Sequence, residues 1–121
     1  MTKISLEIDF TLEPEFFEDI LDSAGFAIGY WAESASIETV DEHNDEIIYR
    51  VQEEDGEEFV ITRGNMETTI CNIVTDKYAD VNQVLKNDLI LLCLGDDDID
   101  IDATAADWLV QLSCFHEVRY A

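Results

Sequence analysis

The sequence predicts an α+β fold in which an antiparallel sheet of three to five strands is packed on one face by three to four helices. Three features carry that expectation. Apolar and polar side chains alternate over residues 3–10 and along the arms on either side of Gly56, the period of a half-buried strand. After Gly64 the period lengthens to that of a helix. Of the 121 residues 47% are hydrophobic, enough for one core, and no Pro-rich linker or internal repeat divides them, so residues 1–121 read as a single acidic domain.

The opening strand places Ile4, Leu6, Ile8 and Phe10 on one face and Lys3, Ser5, Glu7 and Asp9 on the other. Pro14 suits a first helical turn, Phe16, Phe17, Ile20, Leu21 and Ala24 form an apolar stripe, and Gly25 offers a stop. The opposite face of this helix carries Glu15, Glu18, Asp19 and Asp22. Residues 28–40, aromatic and β-branched in places, predict a second strand. Residues 46–53 and 57–63 predict a hairpin. A three-residue loop, Glu54-Asp55-Gly56 with Gly56 left-handed, pairs Val51 with Phe59 and Tyr49 with Ile61. In that register Glu53 faces Glu57 at a crowded acidic tip, at a cost to the ladder of up to about 1 kcal/mol.

Asn65 is the expected cap of a helix whose inner stripe is Met66, Ile70, Ile73, Val74 and the stem of Lys77. Asp80 with Gln83 resembles a capping box that opens another helix through Val81, Val84 and Leu85, which Gly95 ends. A last helix begins near Asp102 or Thr104 and buries Ala105, Trp108, Leu109 and Leu112, after which residues 118–120 can return to the sheet. Trp31, Tyr30 and Trp108 are read as core rather than interface anchors.

Asp and Glu number 29 against 6 Lys and Arg, a net charge of -23. A disordered acidic tail would lack the apolar residues. A folded domain with this surplus repels nucleic acid and anionic lipid, so the expected partners are cationic protein surfaces, with no direct nucleic-acid binding and no membrane; homodimerisation is left open. The cysteines, Cys71, Cys93 and Cys114, are odd in number and sit in apolar stretches, which fits reduced thiols in a cytoplasm better than disulfides or zinc. The first ten residues lack the apolar run of a signal peptide, and the longest such run, residues 89–94, is too short for a bilayer.

No phosphate-cradling loop, nucleophile elbow or Cys-x-x-Cys pair occurs, and with 29 carboxylates close pairs arise by chance. His43 lies in an acidic stretch and His116 in a turn near the C-terminus. The chain is therefore expected to be no enzyme and to need no cofactor or metal. The spacing of Asp96, Asp98, Asp100, Asp102 and Asp107 matches an EF-hand loop, but Ile101 stands where glycine is needed and Asp107 where a bidentate Glu is needed. A solvated loop that favours the following helix N-terminus fits better, with Ile99 and Ile101 tucked inward.

The tail, Asp102-Ala103-Thr104-Ala105-Ala106-Asp107-Trp108-Leu109-Val110-Gln111-Leu112-Ser113-Cys114-Phe115-His116-Glu117-Val118-Arg119-Tyr120-Ala121, resembles the C-terminal signature of a family of small phage and prophage proteins of unknown function. Asp102, Ala103, Ala106, Asp107, Gln111, Phe115, Glu117, Val118 and Tyr120 match, while His116 and Ala121 stand in place of two glycines. The resemblance covers about a sixth of the chain, implies a phage-borne origin and transfers no catalytic residue. In character the chain is similar to acidic DNA-mimic antirestriction and anti-CRISPR inhibitors. The expected function is therefore inhibition of a basic nucleic-acid-binding protein or host defence complex by filling its cationic groove. The expected contacts are Asp41, Glu42, Asp45 and Glu46; Glu53, Glu54, Asp55, Glu57 and Glu58; and Asp96, Asp97, Asp98, Asp100 and Asp102. The alternatives are a salt-adapted protein, a phage structural or regulatory module, or a weak calcium binder.

Overall fold

Ala32–Asp41 (β1), Glu46–Glu53 (β2) and Glu58–Thr62 (β3) form an antiparallel sheet of order β1-β2-β3 in the computed structural model, which describes residues 10–54, 56–78, 81–96 and 99–120. The helices are Pro14–Ala27 (α1), Arg63–Val74 (α2), Gln83–Cys93 (α3) and Ala103–Phe115 (α4). This is the α+β class expected. The strand expected over residues 3–10 lies outside the described residues except for Phe10, which is not in a strand.

The β2–β3 register is the expected one, with Val51 opposite Phe59 and Tyr49 opposite Ile61. Tyr49, Val51 and Ile61 are buried on the inner face, because period-two alternation turns every second side chain toward the helices. On the outer face Arg50 bridges Glu38 at 3.0 Å and Glu58 at 2.7 Å, joining all three strands. Gly56 is needed for close approach: a Cβ there would run into the Glu53 carboxylate.

The helix α4 is the centre of the core. Ala106, Leu109, Val110 and Leu112 are all buried, since both α1 and α2 pack on α4. From α1 the core takes Phe17, Ile20, Leu21 and Ala24, and from α2 Met66, Ile70 and Ile73. Leu12 is pinned where these helices converge: its N–H donates to Glu67 at 2.8 Å and its carbonyl accepts from Arg63 at 2.8 Å.

Several boundaries differ from expectation. Gly25 does not stop α1, which runs on to Ala27, and Ile28–Tyr30 is a short 3-10 turn instead of strand, so β1 starts only at Ala32. The cap of α2 is Thr62, not Asn65. Thr62 Oγ1 accepts from Asn65 N at 3.1 Å while Asn65 Oδ1 accepts from Thr62 N at 3.0 Å, the reciprocal capping box. The cap of α3 is Asn82, whose Oδ1 accepts from Val84 N and Leu85 N, whereas Asp80 lies outside the described residues. Val84, expected inward, is 69% exposed, because Leu85 and Leu89 face the core instead. Residues 118–120 do not join the sheet; α4 captures them.

Candidate acidic interaction surface

The expected contact residues fall in three places. In the β1–β2 turn, Asp41 accepts from His43 N at 3.0 Å and from Asn44 Nδ2 at 2.7 Å, a local turn that leaves Glu42 and Asp45 exposed. The Asn44 side chain is the first cause that holds the Asp41 carboxyl below its ordinary range. Glu46 is drawn inward to Arg63, with Nε to Oε1 at 3.0 Å.

The β2–β3 tip is less acidic outward than expected. Glu53 is only 8% exposed: Tyr120 donates its hydroxyl to Glu53 Oε2 at 2.8 Å and the Arg119 guanidinium lies 3.5 Å away. It fastens the tail and offers no contact, because the tail folds back over that end of the sheet. Glu54 and Glu57 are exposed, Glu58 is paired with Arg50, and Asp55 lies outside the described residues. The two hairpin ends are separated by the eight residues of β2, about 25 Å of strand.

In the third place Ile101 is buried and Ile99 packs on the core, as expected, which turns Asp100 to solvent. Asp96 is exposed, and Asp97 and Asp98 lie outside the described residues. Asp102 caps α4, accepting from Ala105 N at 2.8 Å. Asp107 is inside the protein, which removes place 12 of the calcium-loop spacing.

The coherent acidic surface is instead the outer face of α1. Glu15, Glu18, Asp19 and Asp22 are all exposed, and their spacing puts them on one ridge. Three of the clefts that border it bring in a further carboxylate. Glu15 and Asp19 share one with Asp96, Asp19 and Asp22 share another with Asp100, and Glu15 and Glu18 share the third with Asp45. No Lys or Arg among the described residues lines any of these clefts. Arg50, Arg63, Lys86 and Arg119 are engaged elsewhere, with Glu38 and Glu58, Glu46, Asp76, and Glu53 respectively. The sequence shows this helical face, but it reads there as ordinary solvated surface; the informative signal is four carboxylates at i, i+3, i+4 and i+7 with no cation interleaved.

The conspicuous residues of the tail have structural work. Buried Asp107 accepts from Tyr30 Oη at 2.6 Å, Trp31 Nε1 at 2.8 Å and Gln111 Nε2 at 3.0 Å. Burial first, then Asp107, pushes the Tyr30 phenol up to about 12. Gln111 holds the tail backbone, Tyr120 stacks on Trp31 with centroids 5.6 Å apart, and Arg119 lies over the Phe115 ring at 4.2 Å. Trp31 is core, as expected; Tyr30 is half exposed and touches the core through its hydroxyl.

Comparison with family models, with curated proteins and with solved structures returns no match to this chain.

Proposed function

We propose that this chain is a phage-type acidic protein that inhibits a nucleic-acid-binding host defence complex, a CRISPR effector or a restriction enzyme, by occupying its cationic groove in the host cytoplasm. The α1 ridge carries the reading. From Glu15 to Asp22 the helix rises about 10.5 Å, so its four carboxylates come at about one per 3.5 Å. A DNA strand carries one charge per about 3.4 Å, so a groove lined by Lys and Arg for that density is matched by the ridge. Asp45 on one flank and Asp100 on the other widen the array. Such a field accelerates encounter with a basic groove and weakens with salt.

The test is duplex cleavage by purified restriction endonucleases and guide-RNA nucleases, titrated with the protein at low and at molar salt. Inhibition should compete with DNA, fade in molar salt and weaken by about a hundredfold in E15Q/E18Q/D19N/D22N, about 0.7 kcal/mol per charge. Neutralising Glu54 and Glu57 at the far end of the sheet should change it little. Inhibition indifferent to both salt and the α1 substitutions would overturn the reading.

A further inference from the structure

Beside the ridge, β1 leaves a long opening. Residues 33–41 are exposed throughout, and among the described residues no strand pairs with the outer edge of β1. The register puts Ala35 opposite Val51 and Ile37 opposite Tyr49, so Ala35 and Ile37 belong to the inner face of the sheet. They are not covered, because α1 packs under β2 and stops short of β1. The result is a groove of two clefts that meet at Ile37, one with Ala35 and Tyr49 on its floor and Asp22 on its wall, the other walled by Glu18.

The Tyr49 side chain adds a polar group to this floor. The residue is 2% exposed, lines the groove, and its hydroxyl makes no hydrogen bond with a described residue. Among the described residues no buried side-chain oxygen or nitrogen lacks a partner, so this hydroxyl meets water at the groove, and a donor entering there would take that water's place. The Asp22 charge is felt there, since it ranks after burial among the causes that push the Tyr49 phenol up to about 12.

We propose that this groove receives an extended, arginine- or lysine-bearing segment of a protein partner, added as a strand to the outer edge of β1. The proposal rests on the cationic-partner reading above and names the form in which that partner arrives. An added strand directs alternate side chains into the groove, where long stems cover Ala35 and Ile37 and the charged heads reach Glu18 and Asp22. A second copy of this chain is the wrong occupant. Each carries a net charge of -23, and β1 itself bears Glu33, Glu38 and Asp41 with no Lys or Arg. Register shifts at Ala32/Ser34 and Thr39/Asp41 confine the regular edge to the residues between them, enough for a short segment.

The probe is an eight-residue peptide alternating Arg and Thr, titrated calorimetrically into the full chain, alongside two versions N-methylated on either alternate set of amides. Only one set faces β1 in an added strand. One methylated peptide should therefore bind more than about tenfold more weakly while the other stays within about twofold of the parent, since several ladder bonds are lost together. The amides of residues 34–39 should gain hydrogen-exchange protection, and E18Q/D22N should weaken the parent peptide about tenfold with its circular dichroism unchanged. Equal binding of both methylated peptides, unprotected β1 amides, or no binding of the parent would overturn the groove proposal. Salt-sensitive nuclease inhibition by the ridge would in each case leave the wider reading standing, and its absence would remove that reading on its own.

Discussion

Gln111 clamps the backbone of Tyr120: its Oε1 accepts the Tyr120 N–H at 2.8 Å and its Nε2 donates to the Tyr120 carbonyl at 3.0 Å, the two bonds a neighbouring strand would make. The same Oε1 accepts from Arg119 N at 2.8 Å, and Nε2 also donates to Asp107. One buried side chain therefore ties the tail to α4 and completes the shell of a buried carboxylate. Gln111→Ala should cost about 2–4 kcal/mol, because it breaks several bonds at once and leaves Asp107 with fewer donors. Urea unfolding measures the loss, and hydrogen exchange should show the Arg119 and Tyr120 amides losing protection first.

His116 closes α4 at φ 60°, ψ 18°, in the left-handed region, with its N–H bonded to the Leu112 carbonyl. Glycine reaches that conformation without the Cβ strain that a histidine carries. His116→Gly should raise stability by about 0.5–1 kcal/mol, and His116→Val should lower it by more. Thermal melts of the pair decide the sign.

Along α1, Glu18 faces Glu15 three residues before it and Asp22 four residues after it. Glu18→Lys turns two like-charge pairs into two opposite-charge pairs, each worth about 0.2–0.5 kcal/mol in either sense. The variant should be more stable by about 1 kcal/mol at low salt and inhibit nucleases less. Improved folding together with undiminished inhibition would detach the ridge from function.

Tyr30 and Tyr49 both keep their protons up to about 12 in the fold, against 10.0 for an ordinary phenol, burial being the first cause for each. Their folded values are raised, so the associated stability is fully present below about pH 10 and is lost as pH climbs toward 12. Urea midpoints should decline across that alkaline window, and Tyr49→Phe should flatten the decline.

Burial raises all three thiols above 9.0, Cys93 to about 11 and Cys114 to about 12. Since the thiolate is the reactive form, alkylation of the native protein near neutrality should be slowest at Cys114, slower than an exposed thiol by about a hundredfold or more. Mass spectrometry of a timed iodoacetamide reaction gives the order, with Cys71 fastest.

The hairpin register was legible in the sequence because an inner face of Tyr49, Val51, Phe59 and Ile61 tolerates only one alignment of the two arms. The α1 and α4 stripes were legible for the same reason. The start of α2 was not: Thr62 and Asn65 are both capping types, and only the reciprocal geometry assigns the cap to Thr62. Neither was the extent of α1, since a glycine such as Gly25 is tolerated in a helix interior at a modest cost and does not by itself fix the end.

Glu53 shows why the acidic surface was only half legible. By its place in the chain it belongs to a charged tip, yet Tyr120, 67 residues away, draws it into the protein. What the sequence alone determined is local: strand alternation, helical stripes and the excess of carboxylates, each encoded by residues a few positions apart. Which carboxylates end on a shared ridge and which are spent as fasteners was decided by tertiary contacts. Those contacts join Tyr30 to Asp107, Gln111 to Arg119 and Glu53 to Tyr120, pairings set by packing rather than by neighbourhood in the chain.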